Sequence, residues 1–181
     1  DSTKSYGSEP APYHTGTRQA PNSAYSITKA AAWDFVKLHA AQFGFSAVAI
    51  RPTLVYGSRQ PLNLISALLD AILERREEFR LLGGLQTRSP LHIDDAVEAY
   101  LTAADAVNAV HSKVINIGGP EELNVRRIAE CVVRTAGSAM RIVQDDVMRE
   151  TDVSRSAVDL SEAQALLGWL PKIRLHVGVQ R

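Results

Sequence analysis

The fold is decided by residues 23–57, which run SAYSITKAAAWDFVKLHAAQFGFSAVAIRPTLVYG. From residue 23 to residue 43 the apolar side chains fall on more than one side of a helix. This helix is therefore predicted to pack against two neighbours, such as a sheet and a partner subunit. Residues 46–50 form a short uncharged run that predicts a strand covered on both faces. A long helix that leads into a buried strand is typical of an α/β protein with parallel strands.

The rest of the chain also predicts helices that alternate with strands. A helix is expected over 62–76, a short strand near Leu81, and then a helix capped by Asp94 or Asp95. The later predicted elements are a strand at 114–117, a helix capped by Asn124, a strand at 141–144 and a last helix with a capping box of Ser161 and Gln164. This alternation predicts an α/β fold with a mainly parallel sheet.

Composition excludes several classes of function. The 181 residues carry 20 basic and 20 acidic side chains, so no broad positive field attracts nucleic acid or an anionic membrane. No apolar stretch approaches the ~18 residues of a membrane span. The single cysteine, Cys131, excludes an internal disulfide and fits a reducing compartment, so we expect a cytoplasmic protein. The five histidines are scattered without ligand spacing, and no metal site is expected.

Tyr25 and Lys29 lie four residues apart on the first predicted helix, so their side chains share one face. A phenol with its ordinary pKa of about 10 transfers protons poorly at neutral pH, and a nearby ammonium ion favours the phenolate. The pair is therefore a candidate for general acid–base catalysis. The spacing alone is weak evidence, because many helices carry one aromatic residue and one solvated lysine in this relation.

Further motifs surround this pair. In chain order they are STKSYG (2–7), PNSAYSITK (21–29), IRPTLVYG (50–57), RSPLHIDD (88–95), INIGG (115–119) and LGWLP (167–171). In this order and spacing they resemble the extended short-chain dehydrogenase/reductase family, of the sugar-nucleotide epimerase and dehydratase type, over nearly the whole chain. The resemblance implies the later half of a doubly wound, Rossmann-like parallel sheet with a small mixed α/β substrate-binding lobe. We place the remnant of the nucleotide-binding domain, with the catalytic helix, at 1–58. Most of the substrate-binding lobe, interleaved with the first domain, is placed at 59–181.

The resemblance implies a catalytic role for three residues. Ser2, four positions before Tyr6, matches the hydroxyl residue that orients the substrate's reacting oxygen, with Thr3 as a near alternative. Tyr25 matches the tyrosine that transfers a proton. Lys29 matches the lysine that holds the nicotinamide ribose and tunes the tyrosine.

Other matching residues are implied to bind ligands. Pro52 and Thr53 stand where the family's backbone passes the nicotinamide. Arg88 matches an arginine that grips the substrate's diphosphate, a task suited to a bidentate guanidinium. Arg149 matches a second arginine on the phosphate side. Leu54 departs from the family, which usually has asparagine there, so reductases of lipophilic carbonyls remain an alternative.

The resemblance implies NAD or NADP as the cofactor, but one part of its site is missing. None of the 11 glycines forms the glycine-rich turn that cradles the pyrophosphate. The chain also opens at Asp1 without an initiator methionine, and its motifs begin at once. We therefore expect a piece of a longer polypeptide, with the main cofactor-binding half outside this chain.

The predicted function is NAD(P)-dependent chemistry on a nucleotide sugar or a related carbonyl or hydroxyl substrate, with proton transfer by Tyr25 coupled to hydride transfer. A dehydratase is less favoured than an epimerase or reductase, because Thr3 and Lys4 stand where an acidic pair is needed. Two alternatives remain: a truncated, non-catalytic relative that serves binding or assembly, and an enzyme that performs acid–base chemistry without redox. The apolar first helix also predicts a homodimer.

Overall fold

The computed structural model describes residues 1–60, 63–145, 147 and 153–181. In these parts of the chain helices alternate with strands that pair mainly in parallel, which confirms the predicted α/β class. The described helices are α1 (Ala24–Phe43), α2 (Leu64–Leu73), α3 (Ile93–Asp105), α4 (Val125–Thr135), α5 (Ser161–Leu167) and α6 (Leu175–Gly178), with a 3-10 helix at Thr3–Tyr6. The described strands are β1 (Ala49–Pro52), β2 (Val55–Tyr56), β3 (Glu78–Leu82), β4 (Thr87–Arg88), β5 (Leu91–His92), β6 (Val114–Ile117), β7 (Leu123–Asn124), β8 (Arg141–Asp145) and β9 (Arg155–Ser156).

Helix α1 begins and ends where local chemistry dictates. The Ser23 hydroxyl accepts a hydrogen bond from the backbone N–H of Ser26 at 3.2 Å, and the Ser26 hydroxyl accepts from the N–H of Ser23 at 2.9 Å. The helix ends before Gly44, whose φ of 72° is a left-handed conformation that glycine adopts without steric cost. The helix predicted over 23–43 is confirmed.

Strands β1 and β6 form a parallel pair in which Ala49 stands opposite Val114. The strand predicted at 46–50 begins three residues too early, because pairing with β6 begins only at Ala49. Successive side chains of a strand point to opposite faces. On one face, Ile50 and Ile115 belong to a core cluster with alanines of α3 and α5. This face buries apolar surface against helices.

The opposite face of the same strand pair carries a buried polar network. Arg51 Nε lies 2.6 Å from Asp1 Oδ2, and both side chains are only 1% exposed. The Arg51 guanidinium also lies over the Tyr6 ring, 4.8 Å from its centroid. Tyr6 Oη donates to Asn116 Oδ1 at 2.8 Å, and Asn116 Nδ2 donates to the Tyr13 carbonyl at 3.1 Å. The network holds the N-terminal segment against the sheet.

A second core cluster lies between α2, α4 and the parallel pair of β3 and β8. Leu68, Ile128 and Val132 are fully buried within it. Strand β4 pairs antiparallel with β7 and parallel with β9 in a separate small sheet. Elements α3, β6 and α5 join the first cluster although they follow residue 58, so the two clusters are interleaved along the chain. The domain boundary near residue 58 stays a prediction.

The predicted cap of α3 is wrong. His92 caps this helix, and its Nδ1 accepts from the backbone N–H of Asp94 at 3.2 Å, while Asp94 and Asp95 both lie in the first turn. The buried Asp95 carboxylate instead accepts from the backbone N–H groups of Lys172 and Ile173, at 3.1 and 2.9 Å. Asp95 therefore anchors the C-terminal segment.

Two other helices also begin differently from expectation. The capping box of Ser161 and Gln164 is not formed, because Asp159 Oδ1 accepts from the Ser161 N–H at 2.9 Å instead. Helix α2 is shorter than the predicted 62–76 and begins after Asn63, whose side chain accepts from the backbone at its third residue.

Helix α1 leaves much of its apolar surface uncovered. Phe35 and Leu38 are 62% and 61% exposed, and Leu101 on the neighbouring α3 is 62% exposed. Across the parts of the chain that the structure describes, no helix is long and apolar enough to cross a membrane.

Replacing Arg51 with methionine is expected to lower the free energy of unfolding by about 3–5 kcal/mol, because the Asp1 carboxylate would remain buried without its partner. Urea denaturation measures the change. Arg76→Met is the matched control, since the Arg76–Glu74 pair is exposed and such a pair contributes about 0–1 kcal/mol. An R51M variant as stable as this control would contradict the role given to the network.

Candidate active site

A cleft of about 1050 Å³ lies between the N-terminal segment, the start of α1, the end of β1 and strands β3 and β4. This volume suits a small-molecule ligand. The lining includes five of the residues singled out in the sequence, namely Ser2, Tyr25, Pro52, Thr53 and Arg88. Residues that are far apart in the sequence therefore face one cavity.

Ser2 precedes the 3-10 helix and is buried at the cleft wall. Its Oγ accepts from the backbone N–H of Lys4 at 3.3 Å, and no described residue accepts a hydrogen bond from its hydroxyl. The neighbouring Thr3 also lines the cleft, but its hydroxyl already donates a hydrogen bond to the Pro52 carbonyl at 3.1 Å. Of the two predicted alternatives, the geometry favours Ser2 as the hydroxyl that contacts a ligand.

Tyr25 is the second residue of α1, lines the cleft and is 52% exposed. Lys29 lies one turn further along the helix, with its Nζ 5.5 Å from the centroid of the Tyr25 ring. The ammonium group therefore stands over the ring and adds positive charge beside the phenol. The structure brings the predicted pair together, with Tyr25 in the cleft lining and Lys29 outside that lining.

Pro52 and Thr53 form a fixed wall at the end of β1. The Thr53 backbone N–H donates to the Ile117 carbonyl at 3.0 Å, and its hydroxyl donates to the Ser89 carbonyl at 2.6 Å. Leu54 follows and also lines the cleft. This wall offers backbone and apolar surface rather than a further charge.

Arg88 stands in β4 and is half-buried. Its Nη1 donates to the carbonyls of Thr87 and Val153, at 2.7 and 2.9 Å. These bonds orient the planar guanidinium at the cleft, where its shape suits a phosphate group. Arg149 lies outside the described residues, and its role stays a prediction.

Sequence reasoning missed two lining residues, Gln86 in the turn between β3 and β4 and Arg80 on β3. Gln86 Oε1 accepts from the Gly84 N–H at 2.6 Å, and its Nε2 donates to the Leu82 carbonyl at 3.2 Å, so this side chain closes the turn. Arg80 on β3 is exposed and adds a second guanidinium to the lining. The glycine pair directly before Leu85 was the available signal for a tight turn that a nearby side chain stabilises.

Glu122 holds the small sheet that carries Arg88. Its Oε1 accepts from the Thr87 hydroxyl at 2.5 Å, and its carboxylate accepts two bonds of 2.8 Å from the Arg155 guanidinium. The hydrogen bonds from Arg155 hold the pKa of Glu122 below its usual range. Strands β4 and β9 are thus joined by a side-chain clasp as well as by backbone bonds.

Because the pKa of Glu122 is lowered on folding, its contribution to stability is present above the ordinary carboxyl pKa and is lost as the pH falls through the lowered value. The wild type is therefore expected to exceed Glu122→Gln in free energy of unfolding at pH 7, and the difference is expected to shrink as the pH falls below about 4. Urea denaturation of both proteins at several pH values measures this difference in free energy of unfolding. Glu162→Gln, which replaces an exposed glutamate, is the control. A difference that does not change with pH would contradict the clasp.

Comparisons with known proteins agree with this geometry. A sequence profile of the NAD dependent epimerase/dehydratase family matches residues 1–118. The putative UDP-glucose 4-epimerase of Methanocaldococcus jannaschii is 28% identical over 165 residues, which cover 89% of this chain and 52% of that protein. The putative GDP-L-fucose synthase 2 of Oryza sativa subsp. japonica is 31% identical over 176 residues, which cover 92% of this chain and 50% of that protein. The chain spans about half the length of the curated relatives that it matches.

A solved structure extends the likeness to the fold. The UDP-glucuronic acid 4-epimerase of Bacillus cereus, in complex with UDP-glucuronic acid and NAD, superposes with a TM-score of 0.90 at 25% identity. The match covers 99% of this chain and 57% of that one. It confirms the predicted fold, the later half of a doubly wound, Rossmann-like sheet with a mixed lobe. With the matched profile over residues 1–118, these findings show that the chain belongs to the NAD dependent epimerase/dehydratase family.

Proposed function

We propose that this chain provides the substrate-binding and acid–base part of an NAD(P)-dependent enzyme that acts on a nucleotide sugar. The observation that carries the proposal is the shared cleft, which Ser2, Tyr25 and Arg88 all line. Two similar proteins support it: the Methanocaldococcus jannaschii protein is named as a putative UDP-glucose 4-epimerase, and the Bacillus cereus structure holds UDP-glucuronic acid and NAD.

The chemistry begins at a sugar hydroxyl. Tyr25 accepts the hydroxyl proton while the C–H bond on the same carbon breaks and its hydrogen leaves with both electrons. Ser2 donates a hydrogen bond to the reacting oxygen and holds it beside the phenol. Lys29 stabilises negative charge that develops on the phenol, because its ammonium lies 5.5 Å from the ring centroid. When bound, NAD(P) supplies the acceptor for the hydride.

The residues present fit one end of this cofactor. Tyr25, Pro52 and Thr53 share the cleft, and the bond from Thr3 to the Pro52 carbonyl keeps that wall in place. The sequence contains no glycine-rich turn for the pyrophosphate. The proposal therefore assigns to this chain only the nicotinamide end of the cofactor site.

Among the reactions that start this way, epimerisation or reduction fits better than dehydration. A dehydratase needs a second acid–base pair beside Ser2. The Thr3 hydroxyl is bonded to a backbone carbonyl, and Lys4 carries a positive charge, so neither offers a carboxyl group. A non-catalytic binding module is the competing hypothesis.

Replacing Tyr25 with phenylalanine is expected to lower turnover about 100-fold or more, because a positioned general acid–base group contributes roughly 10²–10⁴-fold. The assay supplies NAD or NADP with UDP-glucose, dTDP-glucose, GDP-mannose or CDP-glucose, and chromatography follows the nucleotide sugar. Tyr100→Phe is the control, since Tyr100 is an exposed phenol on α3 outside the cleft lining. Equal turnover by wild type and Y25F would contradict the catalytic role. Binding of nucleotide sugars without turnover by the wild type would favour the binding module.

The proposal includes a homodimer formed through α1. Helix α1 exposes Phe35 and Leu38, and α3 exposes Leu101. An apolar surface of this kind on a helix pair suits a self-complementary twofold interface.

Leu38→Glu is expected to shift the protein from dimer to monomer at micromolar concentration, because a carboxylate would be buried at the interface without a partner. Sedimentation equilibrium measures the change. Leu73→Glu is the matched control, since Leu73 is 81% exposed on α2 and lies elsewhere in the fold. A wild-type protein that sediments as a monomer would overturn this part of the proposal.

A further inference from the structure

Lys4 is the one exposed side chain in the STKSYG motif. Its neighbours from Ser2 to Gly7 are all buried, and Lys4 alone among them is open to solvent. It also lines the cleft. The 3-10 helix that carries it is held by Tyr6 and by the Asp1–Arg51 ion pair, so the lysine projects from a fixed base.

The charges of the described cleft lining are unbalanced. Lys4 and Arg80 add two cations to the described lining beside Arg88, whereas the one described acidic lining residue, Asp1, is neutralised by its buried pair with Arg51. No described residue pairs with the Lys4 ammonium. Arg80 Nε lies 3.9 Å from Glu78, a long and exposed contact. The Lys4 ammonium is therefore a positive charge of the described lining that no described residue neutralises.

The position of Lys4 indicates where its charge acts. Ser2 and Lys4 are joined through the bond between the Ser2 hydroxyl and the Lys4 N–H, so they stand on the same turn. A 3-10 helix rises about 2 Å per residue, and two residues therefore separate their backbones by only a few ångströms. The flexible lysine stem is long enough to bring its ammonium to substituents close to the oxygen that Ser2 is proposed to orient. That end of the ligand is the sugar.

We propose that the cleft accepts nucleotide sugars whose hexose carries a carboxylate, and that Lys4 binds this carboxylate. The inference rests on the proposed function and names its substrate class. A neutral hexose gives the Lys4 ammonium no charged partner, whereas a uronic acid gives it a charge-assisted hydrogen bond. Selectivity for a uronic acid over a neutral hexose then comes from Lys4, which lies outside the acid–base pair.

The test compares ligands that differ only at the last carbon of the hexose. Calorimetry measures dissociation constants for UDP-glucose and UDP-glucuronic acid, and for GDP-mannose and GDP-mannuronic acid. The wild type is expected to bind the acid of at least one pair about tenfold more tightly, as a hydrogen bond to a charged group allows. In Lys4→Gln the ratio of the two constants is expected to fall close to one, and Lys4→Arg is expected to keep it. Lys113→Gln, an exposed lysine outside the lining, is the control and is expected to leave the ratio unchanged.

Each other outcome counts against a defined claim. Equal affinity of the wild type for acid and hexose would overturn the inference and leave the proposed function standing. An equal loss of affinity for both ligands in K4Q would make Lys4 a diphosphate contact and would also overturn it. Failure of the wild type to bind any of the four nucleotide sugars would overturn the proposed function itself.

Discussion

The burial of Arg51 in strand β1 is the constraint on which the rest of the structure depends. Taking a guanidinium out of water costs several kcal/mol unless a charge and hydrogen-bond acceptors replace the solvent. Asp1 supplies the charge at 2.6 Å, and the face of the Tyr6 ring lies 4.8 Å away. Asp1 and Tyr6 both belong to the N-terminal segment. If this segment left the sheet, the buried Arg51 guanidinium would lose its partners. The bond from Tyr6 to Asn116 ties the same segment to β6. Ser2 lies between these anchors and takes its position from them.

The far wall of the cleft is tied to the same strand pair by close backbone packing. Beyond β1, the Thr53 hydroxyl donates to the Ser89 carbonyl at 2.6 Å. Beyond β6, a Cβ on Gly119 would lie 1.7 Å from the Pro90 carbonyl oxygen, a distance that no larger residue can accommodate. The segment that follows Arg88 therefore packs directly against the ends of β1 and β6. Ser2 and Arg88 are therefore held at a set separation, because both walls are built on the same two strands.

Much of the fold was predictable, because helix α1 and strand β6 carry their signals locally. Apolar periodicity located both, and the short polar motifs around Tyr25 located the candidate site. What sequence could not supply was pairing and long-range partners. The start of β1 depends on its register with β6. His92 caps α3 because it is the last residue of β5 and directly precedes the helix. The Asp1–Arg51 pair joins residues 50 positions apart, and the Glu122 carboxylate joins β4 to β9. Such contacts become visible only after the chain has folded.

A crystal structure of the protein with a bound nucleotide sugar tests the central claim most directly, which is that Ser2 and Tyr25 act on one sugar oxygen while Arg88 holds the diphosphate. The account predicts that a single sugar hydroxyl lies within hydrogen-bond distance, about 2.6–3.2 Å, of both Ser2 Oγ and Tyr25 Oη. It also predicts diphosphate oxygens at the Arg88 guanidinium. A sugar bound away from both hydroxyl groups, or a diphosphate seated beside Tyr25, would contradict it.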